Sequence, residues 1–302
     1  MLIGGAQRSA SLLTALPRID STIVTYDQLS SLNHSVHFDG LLLHVWRRSR
    51  YASEMNWPEA IPGSFGVRVA FNHDWCGSLK VGFDRYIVYS AFAHANTVAD
   101  GPVYVVHGGI PAQDFVSLVS RAPSSKITVG RLSTMWPGKI DESVLIPWRS
   151  LRADRFLIGG DGPVRTDLAK QFEDDPRFTF VGAVPPCDVP AFLQQIDIFL
   201  YDTSWHVESF CYATLEAMAA GCVVVARAKG AIRSQIRHGE TGFLYDTQEQ
   251  AIEICEGLIH QPKLRTQIAR RARAVALKHY PLSRFYRGVI DVMGWSRTSR
   301  SR

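Results

Sequence analysis

Residues 196–226 read IDIFLYDTSWHVESFCYATLEAMAAGCVVVA, and this stretch decides the fold. The short apolar runs at residues 196–201 and 222–226 predict strands, and the longer apolar segment at residues 210–220 predicts a helix between them. A strand, a helix and a second strand in succession are typical of a unit whose two strands pair in parallel. We therefore expect an α/β protein whose parallel sheet is covered by helices on both faces.

The same alternation continues on both sides of this stretch. The pattern predicts further strands at residues 126–132, 156–159, 178–184 and 242–245. It predicts further helices at residues 141–152, 164–172, 189–195 and 231–237. In open sheets of this kind, ligands bind outside the carboxyl ends of the strands, so functional residues are expected in the loops that follow them.

The N-terminal part of the chain shows a weaker pattern of the same kind. A helix is predicted at residues 9–16, and strands are predicted at residues 21–26, 40–45, 67–72, 86–90 and 103–107. Residues 111–125 contain two prolines and four serines, which is typical of a linker. The predicted organisation is a smaller α/β domain at 1–112, a linker at 113–125, a domain at 126–279, and a helix at 280–295 that packs back onto the first domain.

The composition fits a folded protein of two domains, with 302 residues, 46% hydrophobic and 20% charged. Its five cysteines are odd in number and form no Cys-x-x-Cys pair, which argues against a disulfide framework or a zinc site. The first ten residues show neither a cationic leader nor a long apolar run, so we expect a cytoplasmic protein. The net charge of +5 is compatible with contact at an anionic membrane or with an ordinary solvated surface. No nucleic acid partner is predicted.

Two carboxylates, Glu208 and Glu216, stand eight positions apart around the start of the predicted helix at 210–220. Glu216 lies between apolar neighbours, so its helix face is expected to be buried. A buried carboxylate is costly unless it is hydrogen-bonded, and a ligand hydroxyl would be a suitable partner. The alternative is a solvated glutamate on an exposed face. The start of the helix would present backbone N–H groups to a phosphate from Ser209, Phe210, Cys211 and Tyr212.

Two cations are expected at the carboxyl edge of the sheet. Gly130 and Arg131 end a predicted strand, and Lys139 follows in the next loop. Both cations suit a diphosphate, although each taken alone is compatible with a surface charge. The segment 130–139 does not have the spacing of a Walker phosphate loop. The segment 159–165 lacks the last glycine of the dinucleotide fingerprint, which disfavours a nicotinamide enzyme.

Six motifs occur together along the C-terminal half. They are GRL at 130–132 with Lys139, IGGDGP at 158–163, FVG at 180–182, DIF at 197–199, the block 208–221, and GETGFL at 239–244. In order and near-spacing they resemble glycosyltransferase family 4, across about half of the chain. The N-terminal half adds weaker similarities in GGAQRS at 4–9, NHD at 72–74 and VHGGI at 106–110.

This resemblance implies a GT-B fold, in which two Rossmann-like domains with parallel sheets face a cleft. The N-terminal domain would be unusually small. The implied activity is transfer of a sugar from a nucleotide diphosphate sugar to an unidentified acceptor, with retention of anomeric configuration. A glycan, a lipid-linked acceptor and a natural product are the alternatives for that acceptor. Neither a cofactor nor a metal ion is expected, because the chain has no Asp-x-Asp pair at a predicted strand end and two cations are available in its place.

The resemblance also implies residue roles. Glu216 would bind the donor ribose, Glu208 the hydroxyls of the transferred sugar, and Arg131 with Lys139 the diphosphate. His73 would lie beside the reacting sugar from the other domain. The remaining donor-side residues would be the glycine-rich loop with Gly4 and Gly5, the strand-end Gly130, Gly160, and the turn with Val181 and Gly182 that borders the base.

The sequence departs from the family in several places. The spacing from Arg131 to Lys139 is about two residues longer than usual, and residues 1–3 are too few for the strand that normally precedes the glycine-rich loop. Cys211 stands where the family usually has glycine, and Ser234 stands where a glutamate is common. Two alternatives therefore stay open beside glycosyl transfer: a nucleotide-sugar epimerase of the same fold, and an inactive binding or partner subunit. The paired glutamates favour transfer. The sequence leaves the donor base, the donor sugar, the acceptor and the oligomeric state open.

Overall fold

The computed structural model describes residues 37–38, 41–45, 64–73, 76–79, 82–118 and 126–294. It divides into two compact units. The first comprises the described residues up to Gly108 together with those from Ser283 onward, and the second comprises Gly109–Leu282. The helix predicted at 9–16, the strand predicted at 21–26, and Gly4 and Gly5 lie outside the described residues.

The first unit contains a four-stranded parallel sheet in the order β2-β4-β6-β8, and two further pairs, β1-β3 and β5-β7. Its elements are β1 (His37–Phe38), β2 (Leu41–Val45), β3 (Ser64–Phe65), β4 (Arg68–Asn72), β5 (Gly77–Leu79), β6 (Arg85–Val88), α1 (Ala91–Ala95), β7 (Thr97–Ala99), β8 (Val103–Val105) and α10 (Leu282–Met293). Val69, Ala70 and Phe71 of β4 are all fully buried, as expected of a parallel strand covered on both faces.

Helix α10 packs against the sheet of this first unit. The ring of Phe285 stacks on Phe71 with centroids 5.9 Å apart. A Cβ atom on Gly288 would lie 2.8 Å from Val106 Cγ1, so the helix backbone comes close to the end of β8. The strand β4 ends directly before His73, which places this histidine at the carboxyl edge of the same sheet.

The second unit contains a six-stranded parallel sheet in the order β11-β10-β9-β12-β13-β14. Its strands are β9 (Thr128–Leu132), β10 (Arg155–Gly159), β11 (Phe178–Gly182), β12 (Ile198–Tyr201), β13 (Val223–Arg227) and β14 (Phe243–Tyr245). Its helices are α2 (Ala112–Val116), α3 (Glu142–Leu145), α4 (Arg165–Gln171), α5 (Val189–Leu193), α6 (Tyr212–Ala220), α7 (Ile232–Gln235), α8 (Gln248–Ile259) and α9 (Pro262–His279). The parallel sheet expected from the alternating pattern is confirmed.

Three local differences from the sequence expectations have physical reasons. The helix predicted at 141–152 gives way after α3 to a 3₁₀ turn, Ile146–Ser150, because Pro147 has no N–H to continue the helix. The predicted linker begins within α2, because Phe115 is buried and its carbonyl accepts a hydrogen bond of 2.7 Å from Arg273. Helices α8 and α9 follow the last predicted strand and were not predicted.

Within the part of the chain that the structure describes, no helix combines the length and the apolar character needed to span a membrane.

Candidate functional site

Two loops meet at the carboxyl edge of the second sheet, one after β9 and one after β12. The N–H of His206 donates a hydrogen bond of 3.0 Å to the carbonyl of Gly138. Gly138 has a φ of +86°, and a Cβ atom there would lie 2.5 Å from Cζ2 of Trp205. The turn before Lys139 therefore needs glycine both for its backbone conformation and for its packing on the indole.

This contact brings Lys139 to Glu208. Lys139 Nζ lies 3.0 Å from Glu208 Oε1, and His206 Nε2 lies 3.7 Å from Oε2 of the same carboxylate. Burial opposes ionisation of Glu208, but Lys139 and His206 outweigh it and hold the pKa of this carboxyl well below its usual range. Two of the predicted site residues thus form a partly buried ion pair.

Tyr201 is the residue that joins this pair to Arg131. Its hydroxyl donates a hydrogen bond of 2.7 Å to Glu208 Oε1, and its ring lies 5.1 Å from the Arg131 guanidinium carbon. Burial raises the pKa of Tyr201 well above its ordinary value, so the hydroxyl stays protonated and acts as the donor. Neither contact was predicted from the sequence.

Arg131 is fully buried. Its Nη2 donates to Ser133 Oγ at 3.0 Å and to the Lys139 carbonyl at 3.3 Å. Within the described residues, its Nε and Nη1 have no hydrogen-bond partner. Buried polar groups without partners are uncommon and costly, so these two nitrogen atoms mark a place where a ligand or water is needed.

The start of α6 lies just beyond Glu208. Cys211 is the N-cap in extended conformation and supplies no side-chain hydrogen bond to the cap, and it is only 2% exposed. Burial raises the pKa of its thiol to about 12, so Cys211 is no thiolate nucleophile at neutral pH. The preceding residue, Phe210, is also buried. Ser209 comes before it in the sequence, and Tyr212 is the first residue of α6. Glu216, in the next turn of α6, is 4% exposed, as its apolar neighbours led us to expect.

The loop after β13 contacts the backbone of Glu208. The N–H of Ala231 donates a hydrogen bond of 3.0 Å to the Glu208 carbonyl. Gly230 has a φ of +60°, and a Cβ atom there would lie 2.6 Å from the same carbonyl oxygen and 2.8 Å from Val207 Cγ1. The backbone of Glu208 is therefore fixed by a position that accepts only glycine without strain.

Two glycines that the resemblance assigns to the donor also have packing roles. A Cβ atom on Gly130 would lie 2.6 Å from Ile196 Cδ1 and 2.7 Å from the Leu157 carbonyl oxygen. Gly160 has a φ of +126°, and a Cβ atom there would clash with the Ser133 carbonyl oxygen. Both glycines bring backbone segments together at the edge of the sheet, and their contact with a donor stays a prediction.

The turn that begins with the last two residues of β11, Val181 and Gly182, lies at the other end of this edge. Val181 is 44% exposed, and Gly182 has a φ of +77°. The Gly182 carbonyl accepts a hydrogen bond of 2.7 Å from the Gly160 N–H, which holds the turn beside the loop after β10. Its role beside a base stays a prediction.

His73 belongs to the first unit. It is 7% exposed and packs against two aromatic rings, with its centroid 5.1 Å from those of both Phe71 and Tyr89. Its predicted catalytic role stays a prediction.

Sequence reasoning missed Tyr201, His206 and Trp205. The available signal was their position, because all three stand at or after the carboxyl end of a predicted strand, where ligands bind in such sheets. Among the residues that the structure describes, no group of three or more His, Cys, Asp or Glu side chains is placed to hold a metal ion.

The chain is similar in sequence to known glycosyltransferases. Residues 151–275 match the family model of glycosyl transferases group 1. The chain is 26% identical over 251 residues to a GDP-mannose-dependent alpha-mannosyltransferase of Mycobacterium tuberculosis, covering 78% of this chain and 64% of that protein. It is 33% identical over 112 residues to a D-inositol 3-phosphate glycosyltransferase of Corynebacterium efficiens, covering 35% and 26%. The chain thus spans less than two thirds of the length of either relative.

Solved structures share the fold. Anabaena HepE in complex with UDP-glucose superposes with a TM-score of 0.63 at 19% identity, over 76% of this chain and 72% of that chain. Sucrose-phosphate synthase of Thermosynechococcus elongatus gives a TM-score of 0.69 at 14% identity, over 85% and 73%. The chain has the GT-B fold. The GT-B fold confirms the α/β class with parallel sheets that the resemblance implied.

Proposed function

We propose that this protein is a retaining glycosyltransferase of family 4, which takes a sugar from a nucleotide diphosphate sugar. The observation that carries the proposal is Arg131, a buried cation with two nitrogen atoms that have no hydrogen-bond partner among the described residues, lying beside the Lys139–Glu208 pair. A diphosphate would supply the negative charge and the acceptor oxygens that the buried Arg131 guanidinium needs. Similar proteins agree with a nucleotide-sugar donor, since they include a GDP-mannose-dependent alpha-mannosyltransferase and a structure in complex with UDP-glucose.

The proposed roles follow from the charges of the site. Lys139 has three N–H groups and uses one on Glu208, so the others serve the diphosphate together with Arg131. Glu208 Oε1 already accepts from Lys139 and Tyr201, and His206 Nε2 approaches Oε2 only to 3.7 Å, so Oε2 is the oxygen proposed for hydroxyls of the transferred sugar. The N-terminus of α6 favours a phosphate, and the buried Glu216 on the same helix would bind the ribose.

The chemistry proposed for the transfer needs no protein nucleophile. In a retaining transfer, the leaving diphosphate assists the acceptor hydroxyl on the face from which it departs. Lys139 and Arg131 then stabilise the negative charge that develops on the diphosphate, in place of a metal ion. His73 would support the reacting sugar rather than act as a base. The turn with Val181 and Gly182 would border the base.

The test has two stages. Isothermal titration with UDP, GDP, ADP, CDP and dTDP should find one nucleoside diphosphate that binds in the micromolar range and identifies the donor base. The matching nucleotide sugars should then release free sugar slowly or transfer it, and NMR of the product should show the anomeric configuration of the donor. Absence of binding by all five diphosphates would overturn the proposal. Binding without turnover would indicate an inactive binding subunit, and interconversion of free sugar nucleotides would indicate an epimerase.

We further propose a cytoplasmic protein that makes peripheral contact with anionic membranes. Helix α9 contains no acidic residue, and Lys263, Arg270, Arg271 and Lys278 are exposed on it. Their spacing places them along one side of the helix, where each cation near an anionic surface contributes about 1 kcal/mol. Co-sedimentation with phosphatidylglycerol vesicles, but not with phosphatidylcholine vesicles, is the expected result. Equal behaviour with both would remove this part of the proposal.

A further inference from the structure

Two exposed indoles stand on the loops that form the proposed donor site. Trp136 is 50% exposed and lies three residues before Lys139. Trp205 is 62% exposed and lies three residues before Glu208. Single exposed apolar side chains are ordinary, but two large aromatic rings on adjoining loops of one site indicate a binding surface.

The ring of Trp205 is held from one side. A Cβ atom on Gly138 would lie 2.5 Å from Cζ2 and 2.6 Å from Cδ2, and closer still to Cε2. These three atoms surround the bond shared by the two rings, so the glycine backbone meets the face of the indole and not its edge. The hydrogen bond from the His206 N–H to the Gly138 carbonyl fixes the two loops together. The indole is thus oriented by packing while most of its surface stays accessible.

The turn that carries Trp136 is the same turn that contains Gly138. The carbonyl of Trp136 accepts hydrogen bonds from the N–H groups of Lys139, at 3.0 Å, and Ile140, at 3.3 Å. Both tryptophans therefore belong to one hydrogen-bonded pair of loops, beside the cation and the carboxylate of the proposed site.

The area of the two exposed indoles indicates the kind of ligand that they can bind. An aromatic side chain offers at most about 150 to 250 Å². Two half-exposed indoles fall well short of the roughly 800 Å² that one partner contributes to a stable protein interface. They match one or two pyranose rings, whose C–H-rich faces pack on aromatic faces while their hydroxyls stay in water.

The position of the two indoles indicates which part of the substrate they would contact. The base is proposed to lie by Val181 and Gly182 at the end of β11, and β11 lies two strands away from β9. At about 4.8 Å between neighbouring strands, the base would lie roughly 10 Å from the end of β9. Glu208, proposed to hold the transferred sugar, is only 6% exposed, whereas the indoles are at the surface. The indoles are thus outside both donor subsites.

We propose that Trp136 and Trp205 form a stacking platform for a pyranose ring of a glycan acceptor. This inference rests on the proposed function, because it gives the acceptor class for the same site.

A glycan microarray tests it. Labelled protein, saturated with the nucleoside diphosphate that it binds best, is applied to immobilised oligosaccharides and compared with three tryptophan variants and one control variant. Trp205→Ala and Trp136→Ala should each weaken glycan binding about tenfold, and Trp205→Phe should retain most of it because a ring is kept. Ile146→Ala is the matched control, since Ile146 is 54% exposed on the same unit outside these two loops, and it should bind like the parent.

The outcomes separate this inference from the proposed function. If the parent binds a nucleoside diphosphate but no glycan, or if both alanine variants bind glycans like the parent, the platform is wrong and the donor site stands. If Trp205→Ala and Trp136→Ala weaken nucleotide sugar binding as much as glycan binding, the rings serve the donor and the acceptor assignment is wrong. If the parent binds no nucleoside diphosphate, the proposed function itself has failed.

Discussion

Tyr201, the last residue of β12, donates a hydrogen bond of 2.7 Å to Oε1 of Glu208 in the loop that follows. Lys139 Nζ approaches the same oxygen to 3.0 Å. Burial alone would raise the pKa of Glu208, but Lys139, His206 and the Tyr201 hydroxyl together hold the pKa well below its usual range. Glu208 is therefore ionised at neutral pH, although almost no water reaches it.

Tyr201→Phe tests the energetic importance of this hydrogen bond. The change keeps the ring beside Arg131 but removes the donor, so the pKa of Glu208 should rise. A carboxyl whose folded pKa is lowered stabilises the fold fully above the unfolded pKa, about 4.3, and loses that contribution as the pH falls through the folded pKa. The variant should unfold about 1 to 3 kcal/mol more easily at pH 7, and this difference should shrink below about pH 4.3.

Urea unfolding of parent and variant across this pH range provides the measurement. A difference that does not change with pH would show that the variant acts through packing and not through the ionised carboxylate.

Arg131→Met separates a binding role from a structural one. A buried cation with two nitrogen atoms that lack partners among the described residues is costly in the ligand-free protein, and replacing such a group with an apolar side chain of similar length is often neutral or stabilising. We expect an unchanged or higher Tm without ligand, together with a loss of nucleoside diphosphate affinity of about 10-fold to 100-fold. A lower Tm with unchanged affinity would mean that Arg131 serves only to hold Ser133 and the Lys139 carbonyl.

Lys139→Ala should weaken nucleoside diphosphate binding by about 10-fold to 100-fold, since it removes one charge-assisted contact. It also leaves the Glu208 carboxylate without its nearest cation, so the pKa of Glu208 should rise. Lys170→Ala, which removes an exposed lysine from the last turn of α4, is the matched control for net charge. Titration calorimetry of both variants decides the matter, and equal affinities would contradict the placement of Lys139 in the site.

Much of this fold could be predicted from the sequence, because the local apolar patterns agree with the observed strands and helices. The apolar runs around residues 196–226 became β12, α6 and β13, and the apolar neighbours of Glu216 correctly indicated its burial. The helix begins at Tyr212 instead of residue 210, because Cys211 is extended as the N-cap. Such ends depend on backbone geometry that composition does not encode.

The contacts of Arg131 could not be read from the sequence for a different reason. Strand β9 pairs with β12, with Phe199 opposite Gly130, although nearly seventy residues separate them along the chain. That pairing puts Tyr201 beside Arg131. Periodicity indicates that strands exist, but a parallel strand buried on both faces gives no signal of which strand lies next to it.

Metal independence is a further expected outcome. Lys139 and Arg131 are proposed to neutralise the diphosphate, so chelation should not change turnover of the nucleotide sugar. The measurement is the rate of sugar release or transfer with excess EDTA, followed by addition of magnesium or manganese. A loss of activity that either ion restores would overturn this expectation.

The last prediction concerns Gly230, whose φ of +60° and close packing on the Glu208 carbonyl fix the position of the carboxylate. Gly239 is the matched control, because its φ of +75° carries the same backbone penalty for alanine while nothing lies within 4 Å of the added Cβ atom. Gly239→Ala should cost about 1 to 2 kcal/mol from backbone strain alone. Gly230→Ala should cost about 1 to 3 kcal/mol more, because its Cβ atom would lie 2.6 Å from a backbone oxygen. If Glu208 holds the transferred sugar, Gly230→Ala should also weaken binding of the nucleotide sugar more than binding of the nucleoside diphosphate, whereas Gly239→Ala should change neither. Urea unfolding and titration calorimetry on both variants measure the two effects, and equal losses for nucleotide sugar and nucleoside diphosphate would show that Glu208 does not contact the sugar.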